Sequence, residues 1–150
     1  MNDLQVFSRW KHNEIPIVNG IVFPNGQIEA MTIECEGGNR TAKQNGKTTL
    51  QELENRSELY YSNIMTNHHI QTSDELYDIY CGEGSYGGDG FIVVTSEHGN
   101  YLVWIAFFED SNPFIKVQYK EDFVYGFNSL NEKWSFKLKA PTEIKIEIAR

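Results

Sequence analysis

FIVVTSEHGNYLVWIAFFEDSNPFIKVQYK, running from Phe91 to Lys120, is the stretch whose reading decides the fold. It holds two strong strand segments joined at Glu97-His98-Gly99-Asn100, a sharp break at Ser111-Asn112-Pro113, and a third strand segment. From Tyr101 to Phe108 every residue is apolar, so Leu102, Trp104, Ala106 and Phe108 oppose Tyr101, Val103, Ile105 and Phe107. A strand apolar on both faces needs cover on both, which predicts a central place in its sheet. Trp104, Phe107 and Trp134 are expected in the core.

Working outward, alternation continues on both sides. Glu75 to Cys81 places Tyr77, Ile79 and Cys81 inward against Asp78 and Tyr80. Downstream, Asp122 to Phe127 forms a strand and Asn128 to Glu132 a turn. Lys133 to Lys139 then places Trp134, Phe136 and Leu138 inward, with three lysines and Ser135 outward. Ala140-Pro141-Thr142 turns the chain, and Ile144, Ile146 and Ile148 repeat the pattern, giving a C-terminal hairpin with one wet face. Upstream, Ile15-Pro16-Ile17-Val18 opens a strand that its proline confines to an edge or a strand start. Ile21-Val22-Phe23 and Gln27 to Cys35 flank Pro24-Asn25-Gly26, a tight-turn signal. Glu36-Gly37-Gly38-Asn39 and Gln44-Asn45-Gly46 bracket what reads as a polar loop.

Two helices are predicted. Asp3 to Trp10 puts Leu4, Phe7 and Trp10 near one face. Thr49-Leu50-Gln51-Glu52 has the capping-box form, and Leu50, Leu53, Tyr60, Tyr61 and Ile64 follow at helical spacing, which predicts a main helix over Thr49–Ile64 that covers the central strand. The expected class is α+β: a mostly antiparallel sheet of about six to eight strands with that helix packed on a face. At 150 residues, 40% hydrophobic and 13% aromatic, the whole chain, 1–150, reads as one globular domain.

The opening MNDLQVFSRWKHNE carries an acid at Asp3 and no apolar core, so no secretory signal is expected and the expected compartment is cytoplasmic. The longest apolar run, residues 101–108, falls far short of the roughly 20 residues of a membrane helix. Cys35 and Cys81 lie in apolar strand contexts and are expected as buried, reduced thiols. Asn39-Arg40-Thr41 and Asn55-Arg56-Ser57 match a glycosylation pattern, which without export is chance.

Net charge is −8, unevenly spread. Between Arg56 and Lys116 there are nine acids and no lysine or arginine, whereas Glu132 to Arg150 carries five bases against three acids. Such an acidic field disfavours nucleic acid and steers a cationic protein partner.

No motif carries chemistry. Gly82-Glu83-Gly84-Ser85-Tyr86-Gly87 fits G-x-G-x-x-G, but a strand follows it where a dinucleotide site needs a helix. A kinase-type loop would need its lysine, its catalytic loop and a much longer chain. His68-His69 are adjacent and diverge on a helix; His12 and His98 are solitary, so neither metal nor cofactor is expected. Neither cysteine has surroundings that would activate it, and Glu109-Asp110 at a strand end point apart.

The aromatic strand ending in an acidic pair, YLVWIAFFEDSNPF, with the downstream Lys133-Trp134-Ser135-Phe136, resembles small acidic immunity proteins of bacterial polymorphic toxin systems, such as contact-dependent growth inhibition. The likeness covers roughly residues 90–140. It implies a non-enzymatic inhibitor that binds and blocks a cognate toxin domain, often a basic nuclease; the acidic field and the short apolar runs add the expectation of no direct nucleic-acid or membrane binding. Asp78, Glu83, Asp89, Glu97, Glu109 and Asp110, at outward or loop positions, are the candidate partner-binding residues. Two alternatives stand beside it: a β-rich module holding a small molecule among its three Trp and eight Tyr, and a small hydrolase using acids near the glycine-rich loop.

Overall fold

The computed structural model describes residues 4–149, without the side chains of Leu4 and Glu36. A short helix α1 (Leu4–Lys11) leads to β1 (Glu14–Pro16) and β2 (Gly20–Val22). β3 (Gln27–Glu36) and β4 (Asn39–Thr49) form a long hairpin, followed by α2 (Leu50–Asn55), β5 (Tyr61–Asn63) and β6 (Met65–Gln71). β7 (Tyr77–Glu83), β8 (Gly90–Ser96) and β9 (Tyr101–Phe108) meander. β10 (Phe114–Lys120), β11 (Phe123–Asn128), β12 (Glu132–Lys137) and β13 (Ala140–Ile148) follow. Asp3, expected at the start of the first helix, and Arg150 lie outside the described residues.

The strands form a seven-stranded sheet in the order β4-β3-β2-β9-β8-β7-β6, a four-stranded sheet β10-β11-β12-β13 and a small β1-β5 pair. Every pairing is antiparallel. β9 is the middle strand of seven, where its two apolar faces require it to be. One face sends Trp104, Ala106 and Phe108 against Phe114, Val124, Trp134 and Phe136 of the four-stranded sheet. The other sends Ile105 and Phe107 against Val6 of α1, Ile15 of β1 and Leu50 of α2. Trp104, Phe107 and Trp134 are 1%, 0% and 0% exposed. Each such side chain contributes about 1.5–3 kcal/mol by leaving water. Trp104 Nε1–H donates to Leu138 O at 2.8 Å, so its one polar atom is satisfied in the core.

Antiparallel β structure is therefore as expected, but its layering is not. The chain builds two packed sheets and a small third in place of one, because the break at 111–113 sends β10 out of the first sheet to found the second. At the sheet edges β10 lies along β6 and β13 along β4.

No main helix is present among the described residues either. Thr49 Oγ1 does accept Glu52 N–H at 3.0 Å, as the capping box predicts. The helix then stops at Asn55: Ser57 adopts φ 57°, Glu58 N–H donates to Leu53 O and Ser57 N–H to Glu54 O. Those paired bonds are a Schellman cap, built here without glycine. Tyr61, at helical spacing in the sequence, instead pairs with Pro16 across β5.

The polar loop expected at 36–46 is β4, an edge strand. Gly37 and Gly38, at φ 59° and 87°, make the two-residue turn before it, and Asn45 is the extra residue of a bulge. Its polarity reflects its edge position, where Lys43–Glu34 and Lys47–Glu29 pairs at 3.0 and 3.6 Å line it. Cys81 is buried and Cys35 is exposed, which corrects the expected burial of the latter; both are free. No helix among the described residues is long and apolar enough to cross a membrane.

Candidate functional site

The six candidate acids do not form one patch. Asp78 lies opposite Thr95, beside the Glu97 turn, whereas Glu83, Asp89, Glu109 and Asp110 gather at the other end of the β8–β9 hairpin. The eight residues of β9 separate the two ends by about 25 Å.

Two of the six are not available to a partner. Asp78, predicted outward, has its side chain 12% exposed and its carboxylate against His69 Nε2 at 2.9 Å. Asp89 is fully buried: its carboxylate accepts Gly84 N–H at 3.0 Å and Tyr86 N–H at 3.4 Å. Asp89 is thus the staple of the glycine-rich loop. Gly84 leaves room for it, since a Cβ there would clash with the Asp89 carboxylate. Sterics, not phosphate binding, account for that glycine. Glu83 is half-buried and accepts from Asn67 Nδ2 at 3.3 Å.

Glu109 and Asp110 are exposed on a turn whose backbone is fixed from three directions. Asn19 Oδ1 accepts Glu109 N–H at 2.8 Å, and Asn19 Nδ2 donates to the Glu109 carboxylate at 3.4 Å. Arg40 Nη1 donates to Asp110 O at 2.7 Å, and Asn128 Nδ2 to Ser111 O at 2.7 Å. Asn112 N–H donates to Gly88 O at 2.7 Å, which docks the glycine-rich loop against the turn. Beside it, a surface hollow of about 470 Å³ has Ile17, Val18, Met31 and Leu53 on its walls and Glu58 and Asp110 at its margin.

Behind the turn stands an ion pair between the half-buried Arg40 and the buried Glu132. Arg40 Nε and Nη2 donate to the Glu132 carboxylate at 2.9 and 2.7 Å, a bidentate geometry. Asn128 Nδ2 and Trp134 Nε1 donate to the same carboxylate at 2.8 and 3.2 Å. Burial pushes the Glu132 pKa upward, but the bonds from Arg40, Asn128 and Trp134 outweigh it and hold the carboxyl below its ordinary value. Arg40 is consequently neutralised by Glu132 while its remaining donors hold the acidic turn.

The sequence gives little sign of this arrangement, because Arg40 and Glu132 are 92 residues apart. The polar side chains flanking strand ends, Asn19 and Asn128, are a trace of it. Arg40 itself reads as part of a chance glycosylation pattern.

Burial pushes the Cys81 thiol up to about 12, far from a usable thiolate. His68 and His69, expected where a helix fades, lie on β6. His68 Nδ1 accepts Val117 N–H at 3.0 Å, and His69 stacks on Tyr80 with ring centres 4.1 Å apart. Among the described residues no three His, Cys, Asp or Glu side chains group as metal ligands. Trp104 and Trp134, offered above to a small ligand, are filled into the core between the sheets. In comparison with known proteins, no family model matches the chain, and no curated protein or solved structure matches it significantly.

Proposed function

We propose that the protein is a non-catalytic inhibitor, an immunity protein that blocks a cationic toxin domain with the Glu109–Asp110 turn as its central contact. The observation that carries this reading is the rigidity of that turn: two exposed carboxylates on a backbone held by Asn19, Arg40 and Asn128. A pre-ordered loop loses little further freedom on association, so more of its interaction energy appears as affinity. Glu58 across the hollow and the 70%-exposed Tyr86 on the docked loop add a third carboxylate and an aromatic anchor nearby.

Co-purification with candidate toxin domains from the same genome tests the proposal. Glu109→Lys with Asp110→Lys is expected to slow association tenfold or more at low salt, by roughly the factor that steering supplies. Glu97→Lys, about 25 Å away, leaves it nearly unchanged. Failure to bind such a domain, or to protect cells that express it, ends the reading. A complex insensitive to the double reversal keeps the inhibitor and discards this site.

A further inference from the structure

The outer face of the four-stranded sheet has the opposite character from the rest of the chain. The β10–β11, β11–β12 and β12–β13 registers set its side chains in three rows: Lys116, Phe127, Lys133, Glu147; then Gln118, Tyr125, Ser135, Lys145; then Lys120, Phe123, Lys137. Glu143 closes the third row through its ion pair with Lys137 at 2.9 Å. Five lysines thus face two glutamates, a local charge of +3 in a chain of net −8. Glu121 and Asp122 lie in the turn beyond the sheet.

Phe123, Tyr125 and Phe127 form a central aromatic row along β11, each half-buried, with Phe123 and Tyr125 stacked at 6.0 Å. Their repeat along the strand is about 6.7 Å. Lys133 Nζ lies 4.9 Å from the Tyr125 ring centre and Lys116 Nζ 5.9 Å from that of Phe127. A trough of about 890 Å³ runs past Tyr125 and Phe127, with Lys116, Lys120 and Lys133 on its walls against a single acid, Glu147.

We infer that this face is a binding platform for single-stranded nucleic acid, independent of the inhibitor site. A row of rings on one strand offers a stacking surface to successive bases, and lysines on the strands to either side reach the backbone phosphates. An acidic protein segment would use the lysines but leave the aromatic row without a partner. A double helix buries its base faces and could not use the row either. The average acidity of the chain argues against nucleic acid, but the registers show that charge is divided by face: the acidic turn lies outside this sheet.

Fluorescence anisotropy with the full chain and a labelled 20-nucleotide oligothymidylate tests it. Binding is expected at 50 mM salt, weakening about 20-fold by 200 mM if three lysines each displace counterions from phosphates. Tyr125→Ala and Phe127→Ala are each expected to weaken binding about tenfold, the lower part of the range for one base–ring stack. Lys116→Glu with Lys133→Glu, at exposed and half-exposed positions that spare the fold, is expected to abolish it. Thermal unfolding of each variant checks that it is folded. No binding at 50 mM salt overturns the inference. So does binding that survives removal of both rings, or equal binding of duplex DNA or polyglutamate, because each shows charge acting without stacking.

Discussion

The two ends of the β8–β9 hairpin both carry acids and are built in opposite ways. At the Glu97 end the chain turns through Glu97, His98 and Gly99 at φ 51°, 59° and 86°, held by local bonds from Gly99 N to Ser96 O and Asn100 N to Glu97 O. At the Glu109 end, Asn19, Arg40, Asn128 and Gly88 converge from segments up to 90 residues away on one short turn. Equal charge therefore means different things at the two ends. A local turn displays a carboxylate on a support held by its own residues, whereas a turn tied to both sheets presents its carboxylates in a geometry set by distant segments.

Arg40→Ala should show that difference most strongly. Removing one partner of the bidentate pair leaves the Glu132 carboxylate buried without its counter-charge, at a cost of about 3–5 kcal/mol. Urea unfolding measures it; a loss under 1 kcal/mol would mean that the turn is not anchored there. An apolar pair, Arg40→Leu with Glu132→Met, should recover only part of the stability, since both charges leave together but the buried Trp134 Nε1–H loses its acceptor.

Titration sharpens the same contrast. The Glu132 pKa is depressed in the folded protein relative to the unfolded chain, so its contribution is complete above the ordinary carboxylate value near 4.5 and is lost as pH falls through the folded pKa. Stability of the native protein should decline more steeply with acid below about pH 4.5 than that of Glu132→Gln. Parallel acid-unfolding curves for the two would remove Glu132 from the account.

Asp89→Ala is expected to cost about 1–3 kcal/mol, because the Gly84 and Tyr86 N–H groups lose a buried acceptor. Hydrogen exchange should accelerate at Gly84 and Tyr86 first, while the 97–100 turn stays as it is. Smallest of all, Glu97→Ala should alter stability by less than about 0.5 kcal/mol. A larger loss would show that the Glu97 end is also tied into the tertiary structure.

The sequence by itself determined the strands whose two faces differ or are both apolar. Eight apolar residues in a row made β9 central, and Trp134, Phe136 and Leu138 at alternate positions identified the inward face of the C-terminal hairpin. Those outcomes depend on local periodicity and on the cost of leaving apolar surface in water, which is readable residue by residue. Where periodicity was ambiguous, tertiary structure decided. Tyr60, Tyr61 and Ile64 fit a helix, yet a left-handed Ser57 ended it early; residues 36–46 looked like a polar loop, yet an edge position suits a polar strand. The candidate site lay further beyond reach. Glu109 and Asp110 were visible as acids at a strand end, but their difference from Glu97 depends on Asn19, Arg40, Asn128 and Glu132, which meet only when two sheets pack. A hydrogen bond across 92 residues leaves no local pattern in the chain, because its geometry is set by the packing that brings the two residues together.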